Sequence, residues 1–166
     1  MKPMDILVLL KIFFWPYGRW TIREIASSIC IGKTSVDRAL KRMANVRLYD
    51  PASRKVLKKN LEEFILHGLP YVFPVQYGKQ CSGIATVWSA SPLKEKMTTG
   101  EKVVWPFAKG NARGKALLPL CPAVPKAALA DNKLYEMLSL IDAYRAGKTR
   151  ERELAREEIK KLLGNK

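Results

Sequence analysis

The sequence predicts a mainly α protein of the α+β class, and three observations carry that expectation. Apolar residues recur at helical spacing over the first 45 positions and again after residue 125. Between them, prolines at 70, 74, 92, 106, 119, 122 and 125 exclude long helices. This middle stretch is nonetheless too rich in Tyr, Trp, Phe and Val for disorder, so an irregular, turn-rich region with short strands is expected there.

The elements follow in order. Pro3 to Trp15 places Ile6, Leu7, Leu9, Leu10, Phe13 and Phe14 on a helical period, with Pro3 in the first turn, where its missing N–H costs nothing. Asp5 and Lys11 interrupt the run and Pro16 ends it. The segment is too short to span a bilayer and reads as a buried helix. Tyr17-Gly18 makes a turn. Thr21 then opens a second helix, with Glu24 three positions on to complete a capping box, and Ile22, Ile25, Ala26 and Ile29 form its stripe. Gly32 breaks the pattern. A third helix is predicted over Lys33 to Ala44, with Val36, Ala39, Leu40 and Met43 facing inward. Leu48-Tyr49-Asp50-Pro51 closes this unit, and Lys58 to Leu66 reads as helix. Tyr71 to Val75 and Ile84 to Trp88 are the expected short strands. Lys126 to Leu140 or beyond is periodic in Ala128, Leu129, Leu134, Leu138 and Ile141. Gly147 is a natural helix stop, and Lys148 to Leu163 makes a charged last helix. Two domains are expected, one over residues 1–66 and one over 67–166.

Charge bounds the function. Thirty Lys and Arg against fifteen Asp and Glu give +15 on 166 residues, with an isoelectric point near 9.9. The excess is spread along the chain: +7 over residues 1–66, +5 over 67–131 and +3 over 132–166. A small protein this basic is expected to meet a polyanion, because neutralising phosphates releases condensed counterions. Cys30, Cys81 and Cys121 are odd in number and far apart, which argues against a disulfide framework and a zinc site. No signal-peptide pattern is present, and a cytoplasmic location in a prokaryote is expected, with no membrane contact.

The stretch from Ile22 to Met43 carries the functional expectation. Two short helices meeting at a tight angle need a small residue at the contact, supplied by Ala26, and apolar plugs on both sides, supplied by Ile29, Ile31, Val36 and Leu40. The turn between them is expected to be permissive at Gly32. The second helix then presents Lys33, Thr34, Asp37, Arg38 and Lys41 outward, short polar and basic groups suited to base edges and phosphates. Glu24-Ile25-Ala26, Ile31-Gly32-Lys33-Thr34-Ser35-Val36 and Ala39-Leu40-Lys41-Arg42-Met43 resemble the helix-turn-helix of MarR-like winged-helix regulators, over about residues 4–66. The resemblance implies a winged helix-turn-helix in which Lys33, Thr34, Ser35 and Arg38 lie against the major groove and Arg42 approaches phosphate. Gly32 departs from the pattern's usual Ser or Thr cap, and the wing, Tyr49 to Lys55, is short. Arg54 and Lys55 are expected at phosphates. The region from Phe64 to Pro74, with the Arg/Glu-rich segment after Leu134, is similar to the C-terminal extension of a little-studied prokaryotic group of winged-helix proteins; this similarity implies no ligand.

Other signals are weaker. Ser27 through Gly32-Lys33-Thr34 approaches a phosphate-binding loop, but Ser27 stands where Gly is required and a helix precedes it. His67 has no catalytic company, and between Gly68 and Pro125 the only acids are Glu95 and Glu101, too few for a two-metal hydrolase. No enzyme and no cofactor are expected. Trp88, Trp105, Tyr71, Tyr77 and Phe107 interleave with lysines, which reads as core more readily than as a stacking platform for single strands. The expected role is sequence-specific binding of double-stranded DNA, as a transcriptional repressor of its own operon. A homodimer held by Leu134, Leu138, Ile141, Leu154 and Leu162 is expected, because such regulators set two recognition helices about 34–36 Å apart. The alternatives are an adaptor or antitoxin-like protein that holds an operon-encoded partner, and a single-strand or RNA-binding protein.

Overall fold

The computed structural model describes residues 1–97 and 101–164. It is mainly helical with small sheets. Helix α1 (Pro3–Phe13) is followed by α2 (Ile22–Ser28) and α3 (Lys33–Asn45). A two-stranded antiparallel hairpin of β1 (Tyr49–Asp50) and β2 (Lys55–Val56) comes next, with Tyr49 opposite Val56. Helix α1 is apolar on every side, and a helix of that kind is stable only when covered all round. Every residue from Asp5 to Phe13 is buried, under α2, α3 and β2 among others. Its two charges are accordingly paired: Asp5 with Arg42 of α3, and Lys11 with Asp131, Nζ to Oδ2 at 2.7 Å.

Helix α4 (Lys58–Glu63) runs on through a π-helical turn, Phe64–Gly68, into α5 (Leu69–Val72). The boundary expected after Leu66 therefore falls inside a continuous helical stretch. The strand expected over Tyr71 to Val75 is corrected here. Pro70 sits in the first turn of α5, where it is tolerated, so the helix continues past it. The strand comes later, as β3 (Tyr77–Ala85), and it ends before Thr86; Val87–Ser89 is a 3-10 turn, not the strand expected to reach Trp88.

Strands β4 (Val103–Pro106) and β5 (Ala112–Leu117) complete the middle. The long β3 pairs antiparallel with β5 over its first part and with β4 over its last, while β4 and β5 pair parallel, closing a three-stranded barrel. Closure this tight brings backbones together where no side chain fits. A Cβ on Gly83 would lie 2.0 Å from the carbonyl oxygen of Trp105, and one on Gly114 would lie 2.4 Å from that of Lys102.

The helix expected over Lys126 to Leu140 is two helices, α6 (Val124–Ala130) and α7 (Asn132–Ala146). Asp131 makes the break, because its side chain caps α7 by accepting the Leu134 N–H at 3.1 Å while it also holds Lys11. Gly147 ends α7 as expected, and α8 (Thr149–Gly164) follows. A single apolar core runs from α1 through α7 to α8. Within it, Asp142 of α7 accepts hydrogen bonds from Trp105 Nε1 at 2.7 Å and from Arg145 at 2.5 Å, and Arg145 also donates to the carbonyls of Phe73 and Pro74. Burial pushes the Asp142 carboxyl up from its ordinary range, against the opposing pull of Arg145 and Trp105. This cluster ties α7 to β4 and to the segment that follows α5.

Leu134, Leu138 and Ile141, expected at a dimer interface, are fully buried inside this core, and Leu154 and Leu162 pack against it. Leu154 and Leu162 remain partly exposed.

Candidate nucleic-acid interface

The geometry starts at the α2 N-terminus. The capping box read from Thr21 and Glu24 is present: the Thr21 N–H donates to Glu24 Oε2 at 2.8 Å and the Glu24 N–H to Thr21 Oγ1 at 3.2 Å. Ala26, Ile29, Val36 and Leu40 are buried between α2 and α3, with Ile31 packed against them. The turn differs from expectation. Gly32 is an ordinary extended cap of α3, φ −72°, and the left-handed residue is Cys30, φ 55°. A side chain at that φ meets its own backbone, which glycine avoids. Cys30→Gly is therefore expected to stabilise the protein by about 0.5–1 kcal/mol, because Cys30 is exposed and no packing is lost. Thermal denaturation of the two proteins checks this; a loss of stability would contradict it.

On α3, Lys33, Thr34, Arg38 and Lys41 are exposed, and Ser35 and Asp37 are half-buried. Asp37 pairs with Lys41 one turn on, Oδ2 to Nζ at 2.9 Å. Arg42 does not point outward. Its guanidinium makes a bidentate pair with Asp5, Nε to Oδ2 at 2.9 Å and a terminal nitrogen to Oδ1 at 2.6 Å. That hydrogen bond, against the cost of burial, holds the Arg42 guanidinium above its ordinary value. Arg42, expected at phosphate, is thus already engaged: the Asp5 carboxylate is wholly buried and needs this cation.

The hairpin is short because its turn is built by one side chain. Asp50 accepts the Ala52 and Ser53 N–H groups at 3.1 and 3.3 Å as well as the Ser53 hydroxyl, and these bonds, the hydroxyl first, lower its carboxyl from the ordinary range. The chain then turns at Arg54, φ 55°. Arg54 donates to the Trp20 carbonyl at 2.9 Å and lies 4.4 Å from the centre of the Trp20 ring, so its exposed guanidinium is held in one place. Lys55 beside it is exposed. Burial raises the neighbouring Tyr49 hydroxyl, with Arg54 opposing.

Two open grooves meet along Thr21 and Arg54. One, about 630 Å³, lies between α2 and the start of α3 and is lined by Arg23, Lys33, Thr34 and Asp37; the other, about 770 Å³, lies toward the hairpin and is lined by Arg19, Trp20, Ser53 and Lys55. Of the residues lining the pair, Arg19, Arg23, Lys33, Arg54 and Lys55 are cationic and Asp37 alone is acidic. Chemically this is a concave basic surface with hydroxyl and carboxylate acceptors at its centre. Arg19 and Arg23 escaped the sequence reading, since only the fold of the α1–α2 loop brings them beside Arg54. Among the described residues, no cluster of His, Cys, Asp and Glu could hold a metal ion, and no helix is long and apolar enough to cross a membrane. No family model, curated protein or solved structure matches the chain.

Proposed function

We propose that residues 3–56 act as a winged helix-turn-helix, MarR-like in type, that binds duplex DNA and regulates transcription as a repressor. The observation that carries this reading is the cation-rich lining of the two adjoining grooves between the α2 N-terminus, the start of α3 and the hairpin, with Arg19, Arg23, Lys33, Arg54 and Lys55. Thr34 and Asp37 line the first of these grooves too, and Arg38 is exposed one position further along α3. An arginine reads guanine, a carboxylate accepts from cytosine N4, and hydroxyls reach either bases or phosphates. The surrounding cations match phosphates, which fix register and orientation but carry no sequence. No chemistry beyond binding is assigned, and no cofactor.

The reading is tested by salt. If Arg19, Arg23, Lys33, Arg54 and Lys55 each neutralise a phosphate, log K for a duplex falls with log salt with a slope of about −0.9 per contact, so about −4 or steeper. A titration of binding by fluorescence polarisation measures it, and a flat response would contradict duplex binding.

A second reading, a protein that holds a partner, has its own observation. Tyr71 is 80% exposed, Val72 52% and Leu118 45%, and Val72 and Leu118 border a groove with Pro3, Phe73 and Pro74. Apolar exposure of that kind marks protein contacts. Coprecipitation that depends on Tyr71 and Leu118, with no duplex binding, would favour it.

A further inference from the structure

The middle of the chain carries a second cationic surface, built on strands. From Tyr77 to Ser82, β3 pairs only with β5, whose other edge carries β4 at Lys115 and Ala116, so β3 is here the outer strand of a β3–β5 ribbon, and all its positions but Cys81 are exposed. Its register sets Gln80 opposite Lys115 and Ser82 opposite Arg113. Side chains alternate along strands, so these four share one face. The other face holds Gly83 and Gly114, which lie against the backbones of Trp105 and Lys102; the face with Arg113 is therefore the outer one. Tyr77 joins it, with Lys115 Nζ 4.8 Å from the centre of its ring. The turn after β4 is fastened beside Ser82, whose carbonyl accepts the Phe107 N–H at 3.2 Å, and this brings the exposed Lys109 to the same end. Among the described residues, Arg113 and Lys109 have no ion-pair partner, and the one acid paired into the ribbon is Glu101, 4.0 Å from Lys115.

We propose that this ribbon is a second contact to duplex DNA, resting on the phosphate backbone beyond the segment read by α3; the proposal rests on the duplex-binding reading above. Three considerations select that occupant. Among the described residues the ribbon and its adjoining turn carry three cations, Lys109, Arg113 and Lys115, against one paired acid, Glu101, an excess that complements a polyanion. Its other groups, the hydroxyls of Tyr77 and Ser82 and the amide of Gln80, are of the kind that bond phosphate and sugar. Finally, a lone helix-turn-helix covers one half-site and needs further contacts for affinity. Of the residues expected to provide them through a dimer, Leu134, Leu138 and Ile141 are buried in the chain's own core, whereas the ribbon offers such contacts within one chain.

The test uses the full chain and the variant Lys109→Gln/Arg113→Gln, whose circular dichroism and melting temperature should match those of the parent, both residues being exposed. Binding of a random-sequence DNA duplex pool is followed by fluorescence polarisation over a range of salt. The parent is expected to show a steep slope of log K against log salt, and the double variant a slope shallower by about 0.9 for each cation removed, with weaker binding at low salt. Identical slopes and affinities would overturn the ribbon contact while leaving duplex binding by α3 intact. A parent with no salt-dependent duplex binding would overturn the underlying reading as well. A loss confined to a single-stranded RNA probe, with duplex binding unchanged, would overturn the proposal in favour of an RNA surface. If the double variant unfolds, the single variant Arg113→Lys, which keeps the charge, and Arg113→Gln give the same comparison, one contact at a time.

Discussion

Asp142→Ala is expected to destabilise the protein by about 3–5 kcal/mol, the usual cost of leaving one member of a buried ion pair alone. The side chains of Asp142 and Arg145 are 2% and 3% exposed. Without the carboxylate, the Arg145 charge keeps only the carbonyls of Phe73 and Pro74, and the indole N–H of the wholly buried Trp105 loses its acceptor. Each unsatisfied buried donor adds about 1–3 kcal/mol to the problem, so the loss belongs at the upper end. At about 2–4 °C per kcal/mol for a chain of this size, the melting temperature should fall by about 10 °C or more. Asp142→Asn separates the two contributions: its amide oxygen still accepts from Trp105 but does not balance the guanidinium. It is expected to fall between wild type and Asp142→Ala in a denaturant titration. Equal stability of all three proteins would contradict the role given to this cluster.

Arg42→Ala is expected to lose about 3 kcal/mol of stability, because it leaves the wholly buried Asp5 carboxylate without a cation, held by the Lys2 N–H at 2.7 Å. The Arg42 side chain is 28% exposed, which keeps the loss at the low end of the range for buried pairs. The same variant, measured at a temperature where it is folded, should leave the salt slope of DNA binding unchanged, since the Arg42 charge is already neutralised by Asp5. Double-mutant comparison with Asp5→Ala is informative here. Removing both charges should cost less than removing either one alone, as the remaining partner is no longer stranded. A shallower salt slope without a loss of stability would return Arg42 to the phosphate-contacting set.

What the sequence makes legible is mostly local. Thr21 with Glu24 announces the start of α2 because both partners of a capping box lie within one turn, and the run from Ile6 to Phe14 announces a buried helix because Lys11 is its one polar residue. Gly147 and the charged α8 are legible for similar reasons. The misses are long-range or sterically concealed. Arg42 reads as an outward cation until Asp5, 37 positions earlier, is known to lie beneath it. Strand β3 lacks apolar alternation because its first half is an exposed ribbon, and its glycines serve the barrel closure, not a turn. Asp131 looks like one more polar residue in a periodic helix, yet its two partners, Leu134 N–H and Lys11, make it the point where the helix breaks. In the site, Thr34 and Arg38 are legible from the helix period alone. Arg19 and Arg23 are not, since their place beside Arg54 depends on how the loop after α1 folds back.

The central claim, that the exposed side of α3 reads duplex DNA, is tested most directly by discrimination. Duplexes selected in vitro from a random pool by the full chain give a preferred site, and binding to that site and to a scrambled duplex is then compared for the wild type, Thr34→Ala and Arg38→Ala. Both residues are exposed, so the variants should fold as the parent does. Each is expected to lose about 1–3 kcal/mol of preference for the selected site, while affinity for the scrambled duplex changes little. If selection yields no preferred sequence, or if both variants discriminate as the wild type does, α3 does not read bases and the assignment of this face is wrong.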